Sequence, residues 1–137
     1  MTPDQKTLRV RELYETFARR DIAAVRDFLA DDVVWYEPSH DEHSGVYRGP
    51  DEVMQGVLTK VRQGWTDFSA DVHDVLSNDA HTVALSNWRG TSVANGQVYT
   101  GHSVLVAHVD DTGKLAEVWV IWGDPDELQA AHQAVTP

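Results

Sequence analysis

Glu37 closes the run Val33-Val34-Trp35-Tyr36-Glu37, and Pro38 follows it directly. In a strand, residues two apart share a face, so this spacing sets the carboxylate beside Val33 and Trp35. A carboxylate against an indole, with few donors near it, has its ionised form disfavoured and becomes an acid or base tunable toward neutral pH. Glu37→Gln is then expected to raise stability slightly by removing a charge from apolar surroundings. Trp35, Trp88 and Trp122 offer flat surfaces suited to walls around a cyclic ligand, or to plain core filling. Tyr14 brings a hydroxyl that either donates to a ligand or packs. His40-Asp41-Glu42-His43 has metal-ligand residue types. It falls in a polar stretch with no regular element to fix ligand geometry, so it reads as a solvated lip and no metal is expected. His73, His81 and His108 fall on strand-like segments and read as surface or interface groups. The chain has no cysteine, which excludes a thiol nucleophile, a Cys zinc site, an iron–sulfur cluster and CxxC redox chemistry.

The elements that must position these groups follow from period and punctuation. Thr2-Pro3-Asp4-Gln5 is a capping box opening a helix that carries Val10, Leu13, Tyr14 and Phe17 on one face. Asp21 caps a second, shorter helix expected to end at Asp31-Asp32, and residues 33–37 read as a short strand. A polar loop spans 39–48. Gly49-Pro50-Asp51-Glu52 opens a third helix with Met54, Val57, Leu58 and Val61, stopped by Gly64. From Phe68 the period becomes two, giving long strands over 68–76 and 81–93 joined by a turn at Ser77-Asn78-Asp79-Ala80. Asn95-Gly96 predicts a two-residue type I′ hairpin into 97–109, a turn at 110–113 leads to a last strand over 114–122, and Asp124-Pro125 opens a short final helix.

Helices followed by strands argue for an α+β domain over residues 1–137, three early helices packed on one face of a bent antiparallel sheet. The other face is apolar too: Trp119 and Ile121 alternate with Val118, Val120 and Trp122, and Val104 and Val106 repeat the pattern. A second copy is the expected cover, a homodimer through the outer sheet face with Trp119 and Ile121 near its centre. With 22 acidic and 11 basic residues and a net charge of −11, nucleic acid is not an expected partner. No apolar stretch approaches the roughly 18 residues of a membrane span and the N-terminal residues lack a signal-like apolar region. No membrane association is expected, and the expected location is cytoplasmic.

The stretches Leu13 to Asp21, Leu29 to Pro38, Gly45 to Gly49 and Gly113 to Trp119, with this element order, resemble the nuclear transport factor 2-like cone fold, in its ketosteroid isomerase and SnoaL-like polyketide cyclase branch. The resemblance implies a conical cavity between the helices and the concave sheet face. It implies that Glu37, the acidic residue before a proline at the end of the first strand, shuttles a proton. The isomerase's oxyanion tyrosine falls at Leu13, with Tyr14 next to it and about 100° round the helix. The acid that cyclases carry after the last-strand tryptophan is replaced by Val120. His102, where the fourth strand passes the cavity, is the candidate partner of Glu37. The expected cavity is lined by Val33, Trp35, Val57, Val120 and Trp122, with Tyr14 and Trp88 also at the ligand, and opens near Pro38 and the 39–48 loop. The implied function is a cofactor-independent enzyme of isomerase, lyase or cyclase type, using a pocket carboxylate as general acid/base on a hydrophobic cyclic small molecule. The alternative is a non-catalytic small-molecule-binding or dimeric association module. The two differ in whether a second polar group converges on Glu37.

Overall fold

The computed structural model describes residues 1–37 and 45–122. Helix α1 (Pro3–Ala18) opens with the expected capping box: Thr2 Oγ1 accepts the Gln5 N–H at 3.2 Å and Gln5 Oε1 accepts the Thr2 N–H at 2.8 Å. It buries Val10 and Leu13. The chain reverses through Arg20, at φ 64°, and Asp21 caps α2 (Ile22–Val25) by accepting the Ala24 N–H. A 3₁₀ turn, Arg26–Phe28, completes the second helical segment.

Strand β1 (Leu29–Glu37) starts earlier than the sequence period suggests. Leu29 pairs with Leu115, and both side chains are fully buried. That contact turns the chain from helix to strand before Asp31. Part of the expected 39–48 loop is an edge strand, β2 (Gly45–Arg48), antiparallel to β1 with Trp35 opposite Tyr47. The third helix is present as α3 (Gly49–Val53) and α4 (Thr59–Gly64), separated by a π-helical turn, Met54–Leu58, in which the Thr59 N–H reaches back to Met54 O. Gly56 in that turn lies against the Tyr47 ring so closely that no Cβ would fit.

Strands β3 (Ser69–Ser77), β4 (Thr82–Thr91), β5 (Val98–Val109) and β6 (Leu115–Trp122) form where expected. Strands β4 and β5 alternate throughout, while β3 shifts register between Val72 and Asp74 and the β5–β6 ladder shifts between His108 and Val109. The β3–β4 turn is fixed by Asn78 Oδ1, which accepts the N–H groups of Ala80 and His81. The β4–β5 connection is not the predicted two-residue hairpin. Ser92 Oγ accepts the Ala94 N–H, Asn95 Oδ1 accepts the Gln97 N–H, and only Gly96 takes a positive φ, 71°. Local side-chain acceptors therefore hold a longer turn in which Asn95 stays out of the left-handed region that type I′ needs.

The sheet order is β2-β1-β6-β5-β4-β3. It is mixed rather than wholly antiparallel, because β1 runs parallel to β6. The long path from β1 through the helices and meander supplies the crossover that a parallel pair requires. Inward-facing Leu29, Val33, Leu105, Leu115 and Val118 pack with Val10, Val25 and Val53 from the helices in one core, and Trp65, Phe68 and Trp88 form an adjoining aromatic cluster. The expected C-terminal helix lies outside the described residues.

Candidate active site

Alternation along β1 buries Val33, Trp35 and Glu37 on the helix side of the sheet. On β6 the same parity turns Val118, Val120 and Trp122 inward. The two strands are neighbours, and their indoles meet at one carboxylate: Trp35 Nε1 donates to Glu37 Oε2 at 2.7 Å and Trp122 Nε1 donates to Glu37 Oε1 at 2.5 Å. Glu37 thus has two donors where few were expected. Both favour the anion, yet burial outweighs them and pushes the Glu37 pKa up to about 7. The group is poised to hold or release a proton near neutrality.

Tyr14, on α1, lies within electrostatic reach of this carboxylate. Burial, followed by the Glu37 charge, pushes its pKa above the ordinary tyrosine value, while a hydrogen bond with Ser86 pulls the other way. The hydroxyl therefore stays protonated throughout the neutral range. Leu13, the residue before it, is buried in the core and brings no polar group, so of the two only Tyr14 can donate to the site. Ser86 Oγ lies 2.5 Å from Ser103 Oγ, its cross-strand neighbour on β5, and both residues are buried. These serines are site residues that the sequence reading missed. Their signal was available: each takes an inward position, Ser86 between Ala84 and Trp88 on β4 and Ser103 before Leu105 and Ala107 on β5, and each faces the other across the β4–β5 pair.

The remaining expected residues divide. Val33 and Val120 are buried in the core beside the Glu37 group, and Val57, in the π-helical turn, packs against it half-buried. Trp88 belongs to the aromatic cluster and meets Trp122 edge-on, ring centroids 5.9 Å apart. His102 is not at the site. It is exposed on the opposite sheet face, where Nδ1 is 2.7 Å from Asn87 Oδ1. β4 and β5 pair without a register break from Thr82 to Thr91, so alternation carries through Gly101 and turns His102 outward. That glycine makes room for the Trp88 indole, whose Nε1 would sit 2.6 Å from a Cβ. His81 and His108 lie on the same outer face as His102, with ring centroids 4.6 Å apart. Pro38 and His40 to His43 lie outside the described residues. Among the described residues no three His, Asp or Glu side chains cluster as a metal site would need.

The SnoaL-like domain family matches residues 10–118. The chain belongs to that family. An uncharacterized protein of Mycobacterium tuberculosis is 27% identical over 126 residues, covering 91% of this chain and 94% of its own. A nuclear transport factor 2-like protein of unknown function from Burkholderia pseudomallei is 26% identical and superposes with a TM-score of 0.81, covering 97% of this chain and 98% of that one. TerC, crystallised with polyporic acid, has 18% identity and a TM-score of 0.80 over 97% of this chain and 99% of its own. The six-stranded mixed sheet with its helices is the nuclear transport factor 2-like cone fold, in its SnoaL-like branch. No helix among the described residues is long and apolar enough to cross a membrane.

Proposed function

We propose that this SnoaL-like protein is a cofactor-independent enzyme that moves a proton on a hydrophobic cyclic small molecule, in an isomerase, lyase or cyclase type of reaction. The observation that carries the reading is convergence: a buried carboxylate with its pKa near 7 lies within electrostatic reach of a second polar group, the protonated Tyr14 hydroxyl. Glu37 takes a proton from carbon next to a carbonyl and returns it at another position. Tyr14 donates to the oxygen on which charge develops. If Ser103 donates to Ser86 and Ser86 to Tyr14, the phenolic proton is left free for the ligand. Val33, Trp35, Val120 and Trp122 surround the carboxylate with apolar and aromatic surface, which favours a cyclic hydrophobic substrate. A fold shared with TerC, which was crystallised with polyporic acid, supports a small-molecule ligand.

The test is proton exchange. Cyclic ketones and enones incubated in D₂O with the protein and no added cofactor are expected to exchange the hydrogens next to their carbonyl faster than in buffer, followed by NMR. No acceleration for any ring size would remove the enzyme reading and leave a binding module.

We further propose that the protein works as a homodimer through the outer sheet face. Ile121 is 47% exposed there, and Tyr36 and Trp119 stack at 5.5 Å on the same side. An interface of more than about 1,000 Å² is expected. Sedimentation at micromolar concentration should give twice the chain mass, and Ile121→Asp should reduce it to one chain. A monomeric parent protein overturns this assignment.

A further inference from the structure

A cavity of about 580 Å³ lies between the end of α1, α2 and α4, within the range of small-molecule sites. Its apolar walls include Phe17, Val61, Trp65 and Phe68, and Arg20 and Arg62 also line it. In a chain with twice as many acidic as basic residues, two guanidinium groups on one cavity are a local reversal of charge. The acid among the lining residues, Asp21, is engaged as the α2 cap, accepting the Ala24 N–H at 3.3 Å. Arg20 is anchored by one nitrogen, Nη1 donating to Phe68 O at 2.6 Å, which leaves its other N–H groups available. Arg62 has no hydrogen-bond or ion-pair partner among the described residues.

Flat apolar walls beside two guanidinium groups, with Asp21 as the one carboxylate among the lining residues and a positive charge left over, suit one ligand chemistry. The aromatic rings supply contact area, and the planar arginine forks match a carboxylate. We propose that this cavity binds a flat organic anion, an aromatic carboxylate, with its ring against Trp65 and Phe68 and its carboxylate between Arg20 and Arg62. The site is separate from proton transfer at Glu37 and stands whether or not that reaction occurs.

The experiment titrates the full chain with naphthalene-2-carboxylate and, in parallel, with neutral naphthalene-2-methanol, following the indole N–H signals by NMR. Trp65→Phe identifies the Trp65 signal. The carboxylate is expected to shift that signal and to bind about tenfold tighter than the alcohol, as one charge-assisted contact would give. Arg62→Gln is expected to weaken carboxylate binding about tenfold and leave the alcohol unchanged. Glu37→Gln should leave both affinities unchanged. Equal affinity for the two probes, an Arg62→Gln variant that binds the carboxylate as before, or shifts at Trp35 and Trp122 without Trp65 would overturn the proposal. Loss of carboxylate binding in Glu37→Gln would also overturn it, by placing the ligand at the carboxylate instead, without bearing against proton transfer there.

Discussion

Glu37→Gln is expected to flatten the pH dependence of stability and to lower proton-exchange turnover by roughly 10² to 10⁴. Glu37 titrates near 7 in the folded protein against an ordinary value of 4.5. Between those pH values the unfolded chain has already released the proton that the folded protein still holds, so raising pH favours unfolding. The group's contribution is therefore complete below pH 4.5, falls as pH rises through 7, and is constant above it. The loss is about 3 kcal/mol, or roughly 10 °C in melting temperature for a domain of this size. Gln has no such loss. At low pH the variant should be the less stable protein, because its amide nitrogen turns a donor toward one of the two indole N–H groups that Glu37 accepts. A protonated carboxyl keeps an acceptor for each indole and turns its own hydrogen elsewhere. The slight stabilisation expected from a carboxylate with few donors thus gives way to a difference that changes with pH. Melting curves of both proteins from pH 4 to 9 decide it. Parallel curves would mean that Glu37 ionises as an ordinary surface carboxylate, and the base would be lost from the reaction.

The parts of the fold legible in the sequence are those fixed by neighbours along the chain. The Thr2–Gln5 capping box and the Asp21 cap need only three or four residues, and both formed as read. Alternation in β4 and β5 survived because one wrong step would expose a whole core face, whereas β3 shifts register between Val72 and Asp74 and β6 carries an extra residue between Leu115 and Val118. What escaped depends on distant partners. The parallel β1–β6 pair joins segments at opposite ends of the chain, and no local signal gives strand direction. Strand β2 is four residues long with alternating half-buried and exposed positions, too short to show a period. Asn95-Gly96 misled because the competing acceptors, Ser92 Oγ and Asn95 Oδ1, lie in the same few residues and close a different turn.

The site divides along the same line. Glu37 and Trp35 were legible together because they lie two apart on one strand. Trp122, 85 residues away, could be placed on the inner face by parity, but not at hydrogen-bond distance from one carboxylate oxygen. His102 was misplaced because Gly90 and Gly101 look like strand irregularities. Each instead accommodates an indole, Trp65 over Gly90 and Trp88 over Gly101, and the ladder runs on unbroken. A glycine in a strand tells of a close approach without saying whether backbone or side chain makes it.

Tyr14→Phe separates chemistry from packing at this site. If Tyr14 donates to developing charge on the substrate oxygen, removing its hydroxyl should lower turnover by roughly 10² to 10³ and leave KM nearly unchanged, because that contact strengthens only in the transition state. Stability should change by no more than about 1 kcal/mol, since a single neutral hydrogen bond is lost. Ser86 is not orphaned by the change, as Ser103 Oγ remains 2.5 Å away. Nor should the pH dependence of stability alter, because the influences on Glu37 are burial and the two indoles, not the phenol. A structural Tyr14 would behave differently: turnover would follow the loss of folded protein, and melting temperature would drop well beyond what one hydrogen bond explains. Measuring kcat, KM and melting temperature on the same preparation therefore assigns the hydroxyl. Should turnover stay at the parent level, Tyr14 is no donor to the reaction, and Glu37 would be left as a buried titrating group with no second polar group converging on it from α1.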